Sequence, residues 1–466
     1  MQWKFPNIPE KALPKNFSIF LYLLVFVVSI AIFAFAVVLI NAENILPSLG
    51  LSCLYFVIAP LCFGLSITGI VYNIYHHKLL YVLFFNKKIE SKHEQWQNWT
   101  RQSIWLVDSQ YLTDIENLGL KIMGLEGSQP MNPEKQVPIS TLHNLNSSAF
   151  FYVFEKILLP MKKKINQFSN IKVQLNTLNN SDLAMTNLIN FCHSNNISIR
   201  DSNISASDQI PSPKMINEWV DEYDNQTTLI INLVFDVKNS LPFSEYCCAL
   251  LFSNEYKASK LSKLRVFRPL TTKLTDLSDD IEYLIKAEQI DKKQVRQLWA
   301  AHLPSSALNI LKGTFLDNDS EIIIEPNKLY HLDENLGVLD DSHAWLTLSL
   351  AAEAVNQGQK GQMVVAQCGD EIHIMQLYDK NMQPSNQKNE LFILPVVYLI
   401  SIISLLFTLI ALIPANENIL MTCFIINLVA SIALAFVIAV SQYGEIKNYE
   451  HDFQEMWSSE LAKLDP

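Results

Sequence analysis

The stretch Phe17–Ile40, FSIFLYLLVFVVSIAIFAFAVVLI, contains no charged side chain. A helix of about 20 apolar residues is long enough to cross the hydrocarbon core of a bilayer. It also satisfies its backbone polar groups internally, as lipid requires. A signal peptide has a shorter apolar run that ends in a cleavage site of small residues. A core helix of a soluble domain rarely stays uncharged over this length. We therefore predict that Phe17–Ile40 spans a membrane.

Three more stretches share this length and lack of charge: Leu51–Tyr75, Leu391–Ile413 and Ile419–Tyr443. The short segments Asn41–Gly50 and Pro414–Asn418 join them in pairs. The sequence therefore predicts four transmembrane helices, two at each end of the chain. They form one hairpin over residues 17–75 and a second over residues 391–443.

Lysines mark one side of these hairpins. The two connecting turns contain no Lys or Arg, whereas the outer flanks do. The flanking lysines are Lys4, Lys11, Lys15, Lys78, Lys87, Lys88, Lys92, Lys380, Lys388 and Lys447. By the positive-inside rule, both termini (1–16 and 444–466) and the middle of the chain face the cytoplasm. The interpretation is a multi-pass protein of the bacterial inner membrane.

The spans contain no Asp, Glu, Lys or Arg. Proton relays, ion pumps and voltage sensors normally need such residues within the membrane, so we interpret the spans as an anchor. The net charge of −11 argues against a nucleic-acid partner, which would face a basic surface. The predicted partners are the lipid bilayer, a protein and a second copy of this chain.

Residues 76–102 are basic and aromatic, with Trp96 and Trp99 near their end. Two interpretations stay open for this segment. It is either an amphipathic helix on the membrane surface, with its aromatic rings at headgroup depth, or a stalk that continues the second span.

Between Ser103 and Asp379, short apolar segments alternate with amphipathic ones, which is typical of a layered α/β domain. The continuously apolar run Leu229–Phe235, LIINLVF, predicts a strand buried on both faces. The other predicted strands are Ile171–Leu175, Glu245–Phe252, Gln362–Cys368 and Glu371–Leu377. The predicted helices are Asp182–Cys192, Lys214–Glu222, Asp279–Ala287, Gln294–Ala301 and Trp345–Val355. Ser202–Pro213 is predicted to be a surface loop.

A family resemblance covers about 227–377. It is carried by the strand-like run Ser244–Lys260, by His302–Asn309 (HLPSSALN), by the helical stretch Leu336–Val355 and by the hairpin Gln362–Leu377. This order resembles the C-terminal half of the thiolase-like fold, as in β-ketoacyl synthases. HLPSSALN resembles the synthase motif H-G-T-x-T-x-x-N/G. The resemblance implies a condensing site with one Cys and two His residues, in which His302 occupies the first His position.

The sequence lacks most of the residues that such a condensing site requires. Val338, which follows Gly337, stands where the second His is expected, and no Cys in an A-C-x-S/G setting precedes Thr227. Cys192 lies at the polar end of a predicted helix without small neighbours. No glycine occurs between Gly127 and Gly313, although active-site turns need such residues. We therefore predict no catalytic residues, with His302 as the single weak candidate.

The sequence also lacks the common nucleotide-binding and metal-binding motifs. The chain has no Walker loop, no G-x-G-x-x-G, no H-E-x-x-H and no paired C-x-x-C, so we predict no cofactor and no metal. The middle-domain cysteines Cys192, Cys247, Cys248 and Cys368 are interpreted as reduced structural thiols. The cluster Asp340–His343 is compatible with a cation, but fits better as the capped N-terminus of the following helix.

Three functions stay open. The first is a non-catalytic, membrane-anchored cytoplasmic adaptor or scaffold. The four-helix layout, the Trp96–Trp99 pair and the turn Gly124–Gly127 resemble accessory membrane proteins of bacterial type VI secretion effector clusters, which implies an adaptor or immunity role. The second is a membrane-bound acyltransferase or ketoacyl synthase-like enzyme. The third is an immunity or channel protein that acts within the membrane. Because aromatic side chains dominate binding hot spots, the predicted partner contacts are Trp96, Trp99, Trp105 and Trp345.

Overall fold

The computed structural model describes residues 2–40, 53–145, 148–178, 180–222, 226–236, 241–316, 321–380, 444 and 447–464. The chain divides into two units. The α/β unit comprises Met1–Lys4 and Gln95–Ser385, and the helical unit comprises Phe5–Glu94 and Asn386–Pro466.

The helical unit contains α1 (Ile19–Ile40), a π-helical turn (Leu54–Ile58) and most of α2 (Ala59–Thr100). By length and composition, the helices at Ile19–Ala36 and Phe56–Thr100 can each cross a membrane. The α1 side chains point outward: Phe20 is 78% exposed and Phe35 is 66% exposed. A core helix would bury such side chains. The predicted third and fourth spans, 391–413 and 419–443, lie outside the described residues, as do the two turns, so four spans are not confirmed.

Aromatic side chains hold the helical unit together on the part of α2 that follows the span. Residues 447–462 are helical and pack beside this part. The Tyr81 and Tyr449 rings are 4.9 Å apart, and the Phe85 and Phe453 rings are 5.6 Å apart. Lys88 forms an ion pair of 2.8 Å with Glu450. The basic, aromatic segment is thus helical and continuous with the preceding span, and several of its aromatic rings have protein partners.

The α/β unit contains eleven strands within the described residues. They are β1 (Ser103–Leu112), β2 (Ile171–Thr177), β3 (Ile204–Ser207), β4 (Thr227–Val234), β5 (Tyr246–Ser253), β6 (Arg265–Phe267), β7 (Leu270–Lys273), β8 (Val295–Ala301), β9 (Leu329–His331), β10 (Gly361–Cys368) and β11 (Glu371–Tyr378). The helices are α3 (Leu118–Ile122), α4 (Ser140–His143), α5 (Ala149–Leu158), α6 (Lys162–Ile165), α7 (Ser181–Ser194), α8 (Met215–Asp221), α9 (Ala258–Leu261), α10 (Leu277–Ala287), α11 (Ser305–Phe315), α12 (Leu332–Asn335) and α13 (Ala344–Asn356).

The sheet consists of two halves with the same topology. The first half has the order β3-β2-β4-β5-β1, and the second has the order β9-β8-β10-β11-β6, with β7 also on β11. In each half the first three strands of that order are parallel, and the next two join antiparallel. The β1–β6 pair joins the halves. The range 227–377 was predicted to resemble the C-terminal half of the fold. Its first two strands, β4 and β5, belong instead to the first half of the sheet, and the second half begins at β6.

The core is layered around two central helices. Residues of α8 and α13 share one hydrophobic cluster with strands of both halves. A second cluster packs α5 and α7 on the first half, and a third packs α10 and α11 on the second half. Eleven of the thirteen α13 residues are buried, as expected for a helix that is apolar on all sides. All eight β4 residues are buried too, which confirms the strand predicted from LIINLVF.

Two element predictions were wrong. Gln294–Ala301 was predicted to be a helix, but Val295–Ala301 forms β8, which pairs in parallel with β9 and β10. Ladder pairing on both sides outweighs the helix propensity of its Gln, Leu and Ala residues. Ser202–Pro213 was predicted to be only a loop, but it contains β3, a four-residue edge strand paired with β2.

Candidate functional site

His302 directly follows β8 and has a left-handed backbone, with φ of +52°. Its backbone N–H donates to Asp333 Oδ2 at 3.0 Å, and this bond holds a conformation that is uncommon for a residue with a side chain. Its Nε2 lies 3.6 Å from Asp341 Oδ1, and its side chain is 39% exposed. His302 therefore follows a strand, not a helix as the sequence suggested, and its ring is at the surface beside a carboxylate.

The turn before α13 caps that helix. Asp340 and His343 form a reciprocal capping box. The buried His343 ring donates from Nε2 to the Ser244 carbonyl at 3.0 Å, and its Nδ1 lies 2.6 Å from Asp340 Oδ1. Burial is the largest single influence on the pKa of Asp340 and raises it, but the hydrogen bonds from His343 and Ser342 and the attraction of His343 together outweigh burial and lower that pKa. The cluster is thus a helix cap, as the sequence indicated, and His343 uses both ring nitrogens within the protein.

Val338 is held in place by two backbone hydrogen bonds. Its backbone N–H donates to the Lys135 carbonyl at 2.9 Å, and its own carbonyl accepts from Ser244 N at 2.8 Å. Gly337, with φ of +95°, is needed because an added Cβ would overlap the Lys135 carbonyl oxygen. The histidine that begins the following helix is His343, five residues further on.

The thiols of the α/β unit are held in their protonated form. Burial raises the pKa of Cys192, Cys248 and Cys368 to about 12. Burial also raises the pKa of Cys247 well above its ordinary value. Because the thiolate is the reactive form, none of these four side chains is prepared as a nucleophile.

The structure brings together a serine, a histidine and a threonine that are far apart in sequence. Ser212 Oγ lies 2.8 Å from His373 Nε2, and Thr271 Oγ1 lies 3.0 Å from His373 Nδ1. The register of the sheet explains this, because His373 on β11 is opposite Thr271 on β7 and opposite Ala366 on β10. Ser212 is in the segment between β3 and α8 and is partly exposed, whereas the His373 side chain is fully buried.

Charged side chains surround this group. Lys214 Nζ lies 3.1 Å from Glu371 Oε1, and Glu371 Oε2 lies 4.0 Å from His373 Nε2. On the next turn, the Gly369 N–H donates to Asp341 Oδ2 at 2.8 Å. Asp341 also faces His302, so both histidines lie near the carboxyl ends of β8 and β10. In open α/β sheets this end of the parallel strands is the usual place for ligands.

Burial is the main influence on His373. It lowers the pKa of His373 to about 4, while Glu371 and Asp341 oppose and Lys214 reinforces that shift. At neutral pH the ring is therefore uncharged, and one of its two nitrogens carries a lone pair.

The tryptophans predicted as partner contacts occupy different environments. Trp345 is fully buried, and its Nε1–H donates to the Pro211 carbonyl at 2.6 Å, so it cannot contact a partner. Trp96 donates to the Trp3 carbonyl at 3.1 Å. Trp99 and Trp105 are partly exposed, but arginine guanidinium groups lie over their rings, Arg268 at 4.2 Å and Arg265 at 4.4 Å.

Among the described residues, no group of three or more His, Cys, Asp or Glu side chains could hold a metal ion. Sequence reasoning identified His302 but missed Ser212, Thr271 and His373. Ser212 and His373 are 161 positions apart and belong to no motif, so only the strand register could have paired them.

No family model and no curated protein matches this chain. It is similar to 3-oxoacyl-[acyl-carrier-protein] synthase III from Aquifex aeolicus, with 11% identity, a TM-score of 0.35, and coverage of 59% of this chain and 99% of that chain. It is also similar to a monomeric SCP2-thiolase-like protein type 1 from Mycobacterium smegmatis, with 12% identity, a TM-score of 0.36, and coverage of 61% and 79%. Ketosynthase twelve from the bacillaene synthase of Bacillus amyloliquefaciens is similar at 9% identity and a TM-score of 0.37, with coverage of 61% and 74%. These are the kinds of protein that the sequence resemblance indicated, and at these TM-scores they add no argument about family or activity.

Proposed function

We propose that this chain is an adaptor or scaffold, anchored in the bacterial inner membrane by its apolar ends, with the α/β unit in the cytoplasm. The observation that carries the proposal is the state of its thiols. A condensing site needs a thiolate, a base and an oxyanion hole held together. Here burial raises the pKa of Cys192, Cys248 and Cys368 to about 12. The neighbour of the His302 ring is the Asp341 carboxylate, 3.6 Å from Nε2.

The exposed turn Gly124–Gly127 supports an interaction role. Both glycines have positive φ, and no atom lies within 4 Å of a Cβ added at either of them. Between them Leu125 is 53% exposed, although it is a large apolar side chain. As an adaptor or immunity protein associated with type VI secretion effectors, the chain would offer such a surface to a protein partner.

The adaptor proposal predicts no condensation of acyl thioesters. Purified full-length chain in detergent, incubated with acetyl and malonyl thioesters, is expected to form no more β-ketoacyl thioester than a no-protein blank. His302→Ala is expected to match the wild type. A turnover in the wild type that the substitution abolishes would contradict the adaptor proposal.

The partner itself is tested by cross-linking in native membranes and identifying the captured protein by mass spectrometry. Leu125→Asp is expected to reduce its recovery at least tenfold, because a buried charge opposes an apolar contact. The matched control is Leu274→Asp, at another exposed leucine, which is 38% exposed and on a different loop. Equal recovery from both variants would rule out the turn as the contact.

A second candidate function, acyl transfer, is favoured by one observation. Ser212 Oγ and His373 Nε2 are at hydrogen-bond distance, 2.8 Å, as a serine nucleophile and its base are.

A further inference from the structure

We propose that Ser212 is a nucleophile activated by His373, and that the pair transfers acyl groups from carboxylic esters or thioesters. This inference rests on the second candidate function and is independent of partner binding. It involves none of the thiols and does not use His302.

The hydrogen bonds around Ser212 set the direction of proton transfer. The Lys214 backbone N–H donates to Ser212 Oγ at 3.3 Å. The hydroxyl proton of Ser212 is then left to donate to His373 Nε2 at 2.8 Å. This requires the tautomer in which His373 Nδ1 carries the proton and donates to Thr271 Oγ1 at 3.0 Å. Thr271 therefore acts as a positioning residue, as the third group does in nucleophile–base–orienter arrangements.

The burial of the three side chains suits a nucleophile. His373 is completely buried, so its ring orientation is fixed by β11 and the two hydroxyls. Ser212, in contrast, is partly exposed. A buried, neutral histidine whose two ring nitrogens each contact a hydroxyl needs one hydroxyl to donate and the other to accept.

The reaction balances without any further reagent. Ser212 Oγ bonds to the acyl carbon while its proton moves to His373 Nε2. The bond from the acyl carbon to the leaving oxygen or sulfur breaks, and the leaving group takes the proton from Nε2. Water, deprotonated by the same nitrogen, then releases the acid and restores Ser212. Glu371, 4.0 Å from Nε2, stabilises the imidazolium that forms in between.

The charged groups that face His373 are Glu371 on its own strand, Lys214 before α8 and Asp341 before α13. Because burial lowers the pKa of His373 to about 4, the lone pair is present throughout the neutral range. The rate of acylation or probe labelling is expected to be flat from pH 8 to about pH 5.5, and to fall as the pH approaches 4.

The test is labelling of the full-length chain in detergent by a fluorophosphonate, followed by peptide mass spectrometry. We expect a single modified serine, Ser212. Ser212→Ala should abolish labelling, and His373→Gln should slow it at least 100-fold, the usual contribution of a general base. Thr271→Val should slow it about fivefold, as loss of one hydrogen bond does, with rescue by Thr271→Ser.

Two matched controls accompany these variants. Ser205→Ala removes a hydroxyl on β3 that donates to the Val173 carbonyl, and His193→Gln removes an exposed histidine paired with Asp201. Both should label like the wild type. An unlabelled wild type, or labelling that persists in Ser212→Ala, would overturn the proposal. If His373→Gln fails to fold, the pH profile and Ser212→Ala decide. Partner recovery by Ser212→Ala should equal that of the wild type, so the adaptor function can fail or stand separately.

Discussion

Replacing Trp345 with alanine is expected to lower the free energy of unfolding of the α/β unit by about 3–5 kcal/mol, the usual cost of removing a buried tryptophan. Trp345 is fully buried in the central cluster, with the Trp219 and Phe252 rings 6.3 Å and 6.4 Å away. Its Nε1–H is also the donor to the Pro211 carbonyl, so alanine leaves that carbonyl without this partner.

Thermal unfolding of the purified full-length chain in detergent, followed by circular dichroism, measures this effect. At about 2 °C per kcal/mol for a unit of this size, the midpoint should fall by about 6–10 °C. The matched control is Trp105→Ala, at a partly exposed tryptophan that stacks with Arg265, and its midpoint should fall much less. If Trp345→Ala kept the wild-type midpoint while losing a bound partner, Trp345 would be an interface residue after all.

The second large effect is expected at Arg268, which is 2% exposed. Its guanidinium donates to the Trp99 carbonyl at 3.1 Å, to Gln102 Oε1 at 2.6 Å and to both oxygens of Asp221. It thereby joins the strand region after β6 to the end of α2 and to α8. Arg268→Ala leaves the Trp99 carbonyl and Gln102 Oε1 without this donor and opens a cavity, so it should cost about 3 kcal/mol, since an unsatisfied buried acceptor costs about 1–3 kcal/mol and the cavity adds to that loss.

Arg265→Ala is the control for Arg268. Arg265 lies over the Trp105 ring and donates to Ser103 Oγ at 3.1 Å, but within the part of the chain that the structure describes it pairs with no carboxylate. The loss should be about 1 kcal/mol. Equal losses in the two variants, measured by the same thermal unfolding, would show that the Arg268 network contributes nothing of its own.

The network also predicts a pH dependence. The hydrogen bond from Arg268 lowers the pKa of Asp221 below its ordinary value. A carboxyl group whose pKa is lower in the folded state stabilises that state above its unfolded-state pKa, and this contribution is lost as the pH falls through the folded-state value. The wild type should therefore lose stability on acidification, and Arg268→Ala should lose less. The Asp221 side chain is 57% exposed, so solvent weakens the effect.

Composition and apolar runs were enough to predict the layered α/β domain, the buried strand β4, the hairpin β10–β11 and helix α13. They failed where tertiary pairing decides. The residues of β8 favour a helix on their own and become a strand only between β9 and β10. The polar strand β3 has no apolar pattern and is recognised only by its pairing with β2.

The candidate site could be predicted only in part, for the same reason. His302 was accessible from sequence because a local motif surrounds it. The contact of Ser212 with His373 depends on which residues face each other across β7, β11 and β10, and no local pattern encodes that register. Trp345 was wrongly predicted to be a partner contact for a different reason: an aromatic side chain suits a core as well as an interface, and Trp345 lies in the core. The partly exposed Trp99 and Trp105 stay predictions.

The most direct test of the central claim is protease protection in membrane vesicles of both orientations, with antibodies against the α/β unit and against a C-terminal tag. We expect residues 103–379 to be digested in inverted inner-membrane vesicles, to survive in right-side-out spheroplasts, and to stay with the membrane until detergent is added. Digestion in intact spheroplasts, or recovery of the chain in the soluble fraction without detergent, would contradict an account in which apolar helices hold this unit in the cytoplasm.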